Sequence, residues 1–173
     1  MQLSQSHDIP VPVKTVWEAL NDAEILAQAI PGCERLEKIS DTELSARVKL
    51  KIGPVSAIFT GEVTLSDLVP PHAYVISGSG KGGVAGAASG AAKVSLEELD
   101  GGSATRLSYE VEAAVTGKIA QLGSRLIEST AKKLAGKFFD EFVRLLSPQE
   151  EAPQEEAPQE EAPQEDAPEE KPA

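Results

Sequence analysis

The chain has 173 residues, a formal net charge of −12 and a single cysteine, Cys33. One cysteine excludes an intrachain disulfide and gives no basis for a zinc site built from thiolates. No segment approaches the roughly 18 consecutive apolar residues of a membrane-spanning helix, and residues 1–6 lack the basic and apolar regions of a secretory signal. These features predict a cytoplasmic protein whose contact with the inner face of the cell membrane is at most peripheral.

The negative charge is concentrated in the C-terminal segment. From Pro148 the chain repeats Pro-Gln-Glu-Glu-Ala and contains no Val, Ile, Leu or aromatic residue. This segment holds 10 of the 28 acidic residues and only Lys171 of the 16 basic ones, which leaves the body with 18 acids, 15 bases and a net charge of −3. We predict a ligand-binding domain over residues 1–146 and a disordered acidic tail over residues 147–173. The near-neutral body argues against a nucleic-acid partner, which needs a clustered basic surface.

The first elements predicted are a strand and two short helices. Residues 3–9 favour a strand that ends at Pro10. Apolar residues at steps of three and four then predict two helices, separated by Asn21-Asp22 and ended by Pro31-Gly32. These apolar residues are Val13, Val16, Trp17 and Leu20 in the first helix, and Ile25, Leu26 and Ile30 in the second.

The middle of the chain changes to an alternation with a period of two. Apolar or small residues occupy every second position of residues 44–52, 55–65 and 105–115, and Arg47, Lys49 and Lys51 lie between those of the first run. One-sided alternation is typical of an antiparallel sheet with one face in solvent. These runs are three of the six strands that we predict between the short helices and the long helix, and the first strand brings the predicted total to seven.

A long helix is predicted from Gly117 onward, with roughly 28 residues and a length of about 42 Å. Its apolar stripe comprises Ile119, Leu122, Leu126, Thr130, Leu134, Phe138 and Phe142. The order of strand, two short helices, six strands and long helix predicts an α+β fold in which the sheet wraps around the C-terminal helix. We expect the function to lie in a cavity between the sheet and this helix.

The glycine-rich stretch of residues 78–83 formally matches G-x-G-x-x-G. We reject nucleotide binding here, because no βαβ unit surrounds the motif and no long helix follows it. The inward positions beyond it are all small, namely Gly86, Ala88, Gly90 and Ala92. Two interpretations remain open: a close packing of backbone against the long helix, or a groove for a bulky apolar ligand.

Residues that could perform catalysis are few. His7 and His72 belong to no recognisable constellation, and a lone histidine in such a position is usually solvated. Cys33 has no positioned base, and Glu110 and Glu112 are interpreted as solvated strand residues. We therefore predict no catalytic residues and no metal ligands.

Several separated motifs point to a known family. They are Val16-Trp17 with Leu20-Asn21-Asp22, Ile30-Pro31-Gly32-Cys33, Lys51-Ile52-Gly53-Pro54-Val55, and Gly117-Lys-Ile-Ala-Gln-Leu-Gly-Ser-Arg-Leu126 followed by Phe138-Phe139. In this order they resemble the carbon monoxide dehydrogenase G-subunit family, within the START-related, helix-grip SRPBCC superfamily. The resemblance covers residues 3–146 and includes the small-residue run of residues 86–92.

The resemblance implies a seven-stranded antiparallel sheet around the C-terminal helix, with an apolar cavity between them. It also implies an accessory role beside a molybdenum-containing dehydrogenase, recruitment of that enzyme to the cytoplasmic membrane, and a quinone carried in the cavity. Members that dock on membranes often carry an apolar C-terminal segment, whereas the repeats here run to Ala173. We therefore expect transient membrane contact by the body, or binding of the tail to a basic partner surface.

The sequence thus predicts a non-catalytic accessory protein that binds a quinone or similar isoprenoid lipid, without a covalent cofactor. The alternatives are an adaptor with a fully packed core, and an enzyme of the cyclase or hydrolase type on the same scaffold. The residues expected to line the cavity are Leu26, Ile30, Val48, Leu50, Phe59, Gly86, Ala88, Gly90, Leu122 and Leu126. Lys118 or Arg125 is the candidate contact for the polar head of the ligand; the alternative is that both lie on a solvated helix face.

Overall fold

The computed structural model describes residues 1–147, in which seven strands form one antiparallel sheet. The strands are β1 (Gln2–Ile9), β2 (Cys33–Lys38), β3 (Glu43–Ile52), β4 (Val55–Val69), β5 (Ala73–Lys81), β6 (Ala87–Leu99) and β7 (Ala104–Thr116). The α-helices are α1 (Val13–Leu20), α2 (Ala23–Ala29) and α3 (Ser124–Leu146). The predicted α+β, helix-grip architecture is confirmed. The predicted disordered tail, apart from Ser147, lies outside the described residues.

The strand order is β1-β7-β6-β5-β4-β3-β2, so each strand from β2 to β7 pairs with its neighbour in sequence. The helices α1 and α2 carry the chain from the edge strand β1 to the opposite edge strand β2. Asp22 begins α2 as predicted, because its Oδ1 accepts hydrogen bonds from the backbone N–H groups of Glu24 (2.9 Å) and Ile25 (3.4 Å).

The predicted start of the long helix is wrong. Gly123 has φ 94° and ψ 150°, a conformation outside the helical region, and α3 therefore begins at Ser124 rather than at Gly117. The preceding segment, Gly117–Leu122, forms a short 3-10 helix. The helix α3 has 23 residues, which corresponds to about 34 Å. The break also shifts the apolar stripe, because Ile119 is 2% exposed whereas Leu122 and Leu126 are only half-buried.

The packed core lies beside the C-terminal half of α3. Phe139 and Phe142 are the only buried residues of this helix, and Phe142 is among the largest fully buried side chains of the described chain. They belong to one cluster with residues of β1, α1 and β7, including Ile9, Val16 and Leu107. The N-terminal half of α3 contributes no buried side chain, which leaves room between it and the sheet.

Within residues 1–147, no helix combines the length and the apolar character needed to cross a bilayer.

Candidate functional site: two cavities between the sheet and α3

Two adjoining cavities lie between the sheet and α3. The first, which we call the aromatic cavity, has a volume of about 360 Å³. The second, which we call the small-residue cavity, has a volume of about 520 Å³. Ile30, Val63, Ala135 and Phe138 line both cavities and form the boundary between them. Each volume falls in the range of small-molecule binding sites.

The aromatic cavity is walled by large side chains from the packed core. Its rings are those of Tyr74, Tyr109, Phe138 and Phe139, and the Phe138 and Phe139 rings meet edge to face at 4.9 Å. The aliphatic part of its lining comprises Leu20, Leu26, Leu36, Leu44, Leu65, Ile76, Ala92, Val94 and Leu107. This lining suits a flat apolar group, because ring faces and edges on the wall favour stacked and edge-on contacts.

Few polar groups border the aromatic cavity. The Tyr109 hydroxyl donates to Gln5 Oε1 at 2.7 Å. At the edge of the cavity, Lys38 Nζ donates to the backbone oxygen of Asn21 at 3.2 Å. Burial raises the pKa of Tyr74 and of Tyr109, so both phenols stay protonated at neutral pH and can act as hydrogen-bond donors.

The small-residue cavity exists because its lining lacks bulk. Inward positions on the central strands hold Ala46, Gly61, Gly78, Gly80, Ala88, Gly90 and Ala113, with Val48, Leu50, Phe59 and Leu134 as the larger neighbours. Glu62, Ser79 and Ser89 alternate with these positions and are exposed. Among the described residues, the interior surface is therefore apolar and carries no charged group.

The glycines of this cavity serve two different purposes. A Cβ at Gly61 would lie 2.0 Å from the Ser79 carbonyl oxygen, and one at Gly90 would lie 2.5 Å from that of Glu112. At Gly80 the nearest atom would be 3.7 Å away, so a side chain fits there. The close approach predicted as one alternative is thus between neighbouring strands rather than between the sheet and the helix, and it coexists with a groove.

Seven of the predicted cavity residues lie on these two surfaces. Leu26 lines the aromatic cavity, and Ile30 lines both. Val48, Leu50, Phe59, Ala88 and Gly90 line the small-residue cavity. Contact of these residues with a ligand stays a prediction.

The structure places three predicted cavity residues elsewhere, namely Gly86, Leu122 and Leu126. Gly86 has φ 115° and lies in a loop, where a Cβ would meet the Thr116 oxygen at 1.9 Å. Leu126 packs instead against the turn after β3, where its side chain would be 2.8 Å from a Cβ at Gly53. Leu122 precedes the break at Gly123, which removes it from the stripe that faces the sheet.

The candidates for the head-group contact are also displaced. Lys118 and Arg125 are exposed and line neither cavity, because they lie on either side of the break at Gly123. The polar side chains at the edge of the aromatic cavity are instead those of Asn21 and Lys38.

His7 is the group that sequence reasoning missed. Its ring stacks on Phe139 with centroids 4.1 Å apart, and its buried Nε2 has no hydrogen-bond partner among the described residues. Burial lowers the pKa of His7, and the nearby carboxylates of Asp140 and Asp8 oppose that shift. The alternation along β1 carried the signal, because His7 shares its face with the buried residues Leu3 and Ile9.

The described part of the chain contains no group of three or more His, Cys, Asp or Glu side chains placed to hold a metal ion. Burial raises the pKa of the Cys33 thiol, and a backbone hydrogen bond at Arg35 only partly offsets the shift. This thiol is therefore not an activated nucleophile.

Comparison with known families agrees with this geometry. The model of the carbon monoxide dehydrogenase G-subunit family (CoxG) matches residues 6–147. The chain belongs to this family. Family membership and fold together support a ligand-binding accessory role. A search of curated proteins gave no match.

Solved structures share the fold. A conserved protein from Geobacillus kaustophilus is 28% identical with a TM-score of 0.80, over 85% of this chain and 95% of that one. A START superfamily protein from Mycobacterium smegmatis is 12% identical with a TM-score of 0.64, over 84% and 96% of the two chains. The Zhui aromatase/cyclase from Streptomyces sp. R1128 is 14% identical with a TM-score of 0.62, over 84% and 93%. The last two similarities show the fold alone.

Proposed function

We propose that this protein is a non-catalytic accessory protein of a molybdenum-type dehydrogenase, and that it holds a quinone or similar isoprenoid lipid between the sheet and α3. The observation that carries the proposal is the pair of adjoining apolar cavities, one walled by aromatic rings and the other opened by small residues. Two joined compartments of different character suit a ligand with a flat head and a long apolar tail.

The aromatic cavity is the compartment proposed for the ring. Tyr74, Tyr109 and Phe139 supply ring contacts, and the protonated Tyr74 hydroxyl can donate a hydrogen bond to a quinone carbonyl. The tail would then cross the boundary at Phe138 and fill the small-residue cavity. A tail that removes about 300 Å² of apolar surface from water gains roughly 7 kcal/mol before the costs of ordering, at about 25 cal/mol per Å².

The partner is proposed from family membership. The family takes its name from a component of carbon monoxide dehydrogenase, and the name supports association with that enzyme. We extend the proposal to related molybdenum-containing dehydrogenases. Together with an apolar cargo, this association supports a location at the cytoplasmic membrane, where a bound quinone would connect the electrons of the enzyme with the membrane pool.

The proposal is tested by organic extraction of protein purified from its own host without detergent, followed by mass spectrometry. The variant Ala88→Phe fills the small-residue cavity, and Ala91→Phe is its matched control, because Ala91 is exposed on the same strand. We expect a stoichiometric quinone or isoprenoid lipid from the wild type and from Ala91→Phe, and at least about tenfold less from Ala88→Phe at an unchanged circular dichroism spectrum. An empty extract from the folded wild type would contradict the proposal and favour the adaptor with no ligand.

A further inference from the structure

One end of the molecule, which we call the basic tip, is built from residues 47–60, 78–90 and 113–127. These segments contain the β3–β4 turn, the β5–β6 loop and the connection from β7 to α3. They pack on one another. The side chain of Leu126 lies against Gly53, the backbone of Gly86 against Thr116, and the ring of Phe59 against Gly82. The three segments therefore form one continuous surface.

The basic tip carries more positive than negative charge, and carboxylates, among them those of Glu34, Glu62 and Glu112, belong to residues at its border. Its three segments contain no Asp or Glu, whereas the cations Arg47, Lys49, Lys51, Lys81, Lys118 and Arg125 are all exposed. Arg47 is paired with Glu34 at 3.0 Å. The other five form no salt bridge with a described residue. A local excess of this size is unexpected in a body with a net charge of −3.

The same surface carries the most exposed large apolar side chain of the described residues. Val84, in the β5–β6 loop, is 85% exposed, and Ile58, on the outer face of β4, is 37% exposed. A single exposed valine is ordinary on a protein surface. Lys81 ends the strand before this loop, and Lys118 follows Gly117, whose backbone packs against Gly86. An exposed apolar side chain in a loop beside unpaired cations is a combination suited to anionic lipid, because the cations face phosphates while the apolar group enters the acyl boundary.

We propose that the basic tip docks on an anionic lipid bilayer. Val84 enters the boundary between headgroups and acyl chains, and the five unpaired cations face lipid phosphates. The inference rests on the proposed function in one respect: Leu50, Phe59 and Ala88 line the small-residue cavity and belong to the tip segments, so docking brings the cavity to the membrane from which an apolar cargo comes.

The position of the acidic segment is compatible with this orientation. The helix α3 begins at the basic tip and ends at Leu146, about 34 Å further along its axis. The acidic repeats that start at Pro148 therefore join the body at the far end of α3. This separation exceeds the Debye length of about 8 Å at physiological ionic strength several times over, so the charge at that junction is screened from the docking surface.

The test is co-sedimentation of the full chain with vesicles of phosphatidylcholine alone and of equal parts of phosphatidylcholine and phosphatidylglycerol. We expect binding to the mixed vesicles, loss of binding at high salt, and no binding to phosphatidylcholine alone. The triple variant Lys51→Glu/Lys81→Glu/Lys118→Glu should lose at least about tenfold in affinity. The triple variant Lys14→Glu/Lys93→Glu/Lys137→Glu is the matched control, because it makes the same charge change at exposed positions outside the tip.

Val84→Asp provides a second, independent variant. Because Val84 is 85% exposed, we expect the substitution to leave folding unchanged and to weaken vesicle binding severalfold. Equal losses in the two triple variants, or equal binding to both kinds of vesicle, would overturn the proposal. The proposal would also be overturned if the wild type bound no vesicles but bound an acidic protein, and if the triple variant at Lys51, Lys81 and Lys118 no longer bound that protein. The vesicle assay needs no bound ligand, so an absence of vesicle binding would contradict the docking surface only. An empty organic extract would contradict the proposed function instead.

Discussion

The aromatic cavity and the small-residue cavity lie side by side along α3 but are built in opposite ways. The walls of the first belong to the core, since Tyr74, Leu107, Tyr109 and Phe139 are all between 2% and 9% exposed. The second is a space left by missing side chains, on strands where glycine and alanine take the inward positions. The aromatic cavity is therefore a space between large, well-packed side chains, whereas the small-residue cavity is a space that the glycines and alanines on its strands leave empty.

The two halves of α3 therefore contribute to different properties, namely folding stability in the C-terminal half and space for a ligand next to the small-residue cavity. The buried aromatic residues of α3, Phe139 and Phe142, hold its C-terminal half to the core. The side chains that face the small-residue cavity, Leu134, Ala135 and Phe138, are only half-buried. A substitution should therefore change folding at the aromatic cavity and change binding at the small-residue cavity.

The largest expected effect is that of Phe139→Ala. The ring of Phe139 contacts His7, Tyr109, Phe138 and Phe142, and its removal should lower the free energy of unfolding by about 3–5 kcal/mol. Phe59→Ala removes the same group from the small-residue cavity and should cost less than about 2 kcal/mol, because this ring is only half-buried. Urea denaturation measures both, and equal costs would remove the distinction between the cavities.

A second effect separates two glycines within the small-residue cavity. Gly61→Ala should lower the free energy of unfolding by about 1–3 kcal/mol, because its Cβ would lie 2.0 Å from a backbone oxygen that cannot easily move. Gly80→Ala should change it by less than about 1 kcal/mol, because the added carbon has room and reduces the entropy of the unfolded chain. Thermal melts compare the two variants, and a destabilised Gly80→Ala would mean that this cavity tolerates no added volume.

The fold was predictable because its signals are periodic along the chain. Alternation in β3 and β4 predicted which residues face inward, and Val48 and Phe59 line the small-residue cavity for that reason. The cavity volumes were not predictable. They depend on how far α3 lies from the sheet, which no strand register determines.

Two of the residues expected at the cavity, Leu122 and Lys118, precede the break at Gly123. A glycine within an apolar stripe is compatible with a continuous helix, and only its φ of 94° shows that the helix has not begun. Leu122 and Lys118, which the sequence pattern assigns to an unbroken helix, therefore line neither cavity. Gly86 also lines neither cavity, because its φ of 115° belongs to a loop and not to the strand that follows.

The next effect is a pH dependence of stability that comes from His7, whose ring stacks on Phe139 in the wall of the aromatic cavity. Because burial lowers the pKa of His7 in the folded protein, the unfolded chain binds more protons as pH falls below the ordinary histidine pKa of about 6.5. The domain should therefore lose stability as the pH falls from about 6.5 toward the folded pKa of His7. His7→Phe should remove that part of the pH dependence while keeping the stack on Phe139. Thermal melts across this range provide the comparison, and an unchanged slope in His7→Phe would exclude His7 as its source.

The smallest effect is expected at the edge of the aromatic cavity, where Lys38→Ala tests whether a cation near the proposed ring site matters. Lys38 is exposed, so its removal should weaken binding of a short-chain quinone by at most about fivefold. Quenching of Trp17 fluorescence measures this binding, because Trp17 is the only tryptophan and its ring meets Tyr74 at 5.3 Å. Arg125→Ala is the matched control and should leave the affinity unchanged, because Arg125 lines neither cavity. An equal loss in both variants would mean that long-range charge, rather than the edge of the aromatic cavity, attracts the ligand.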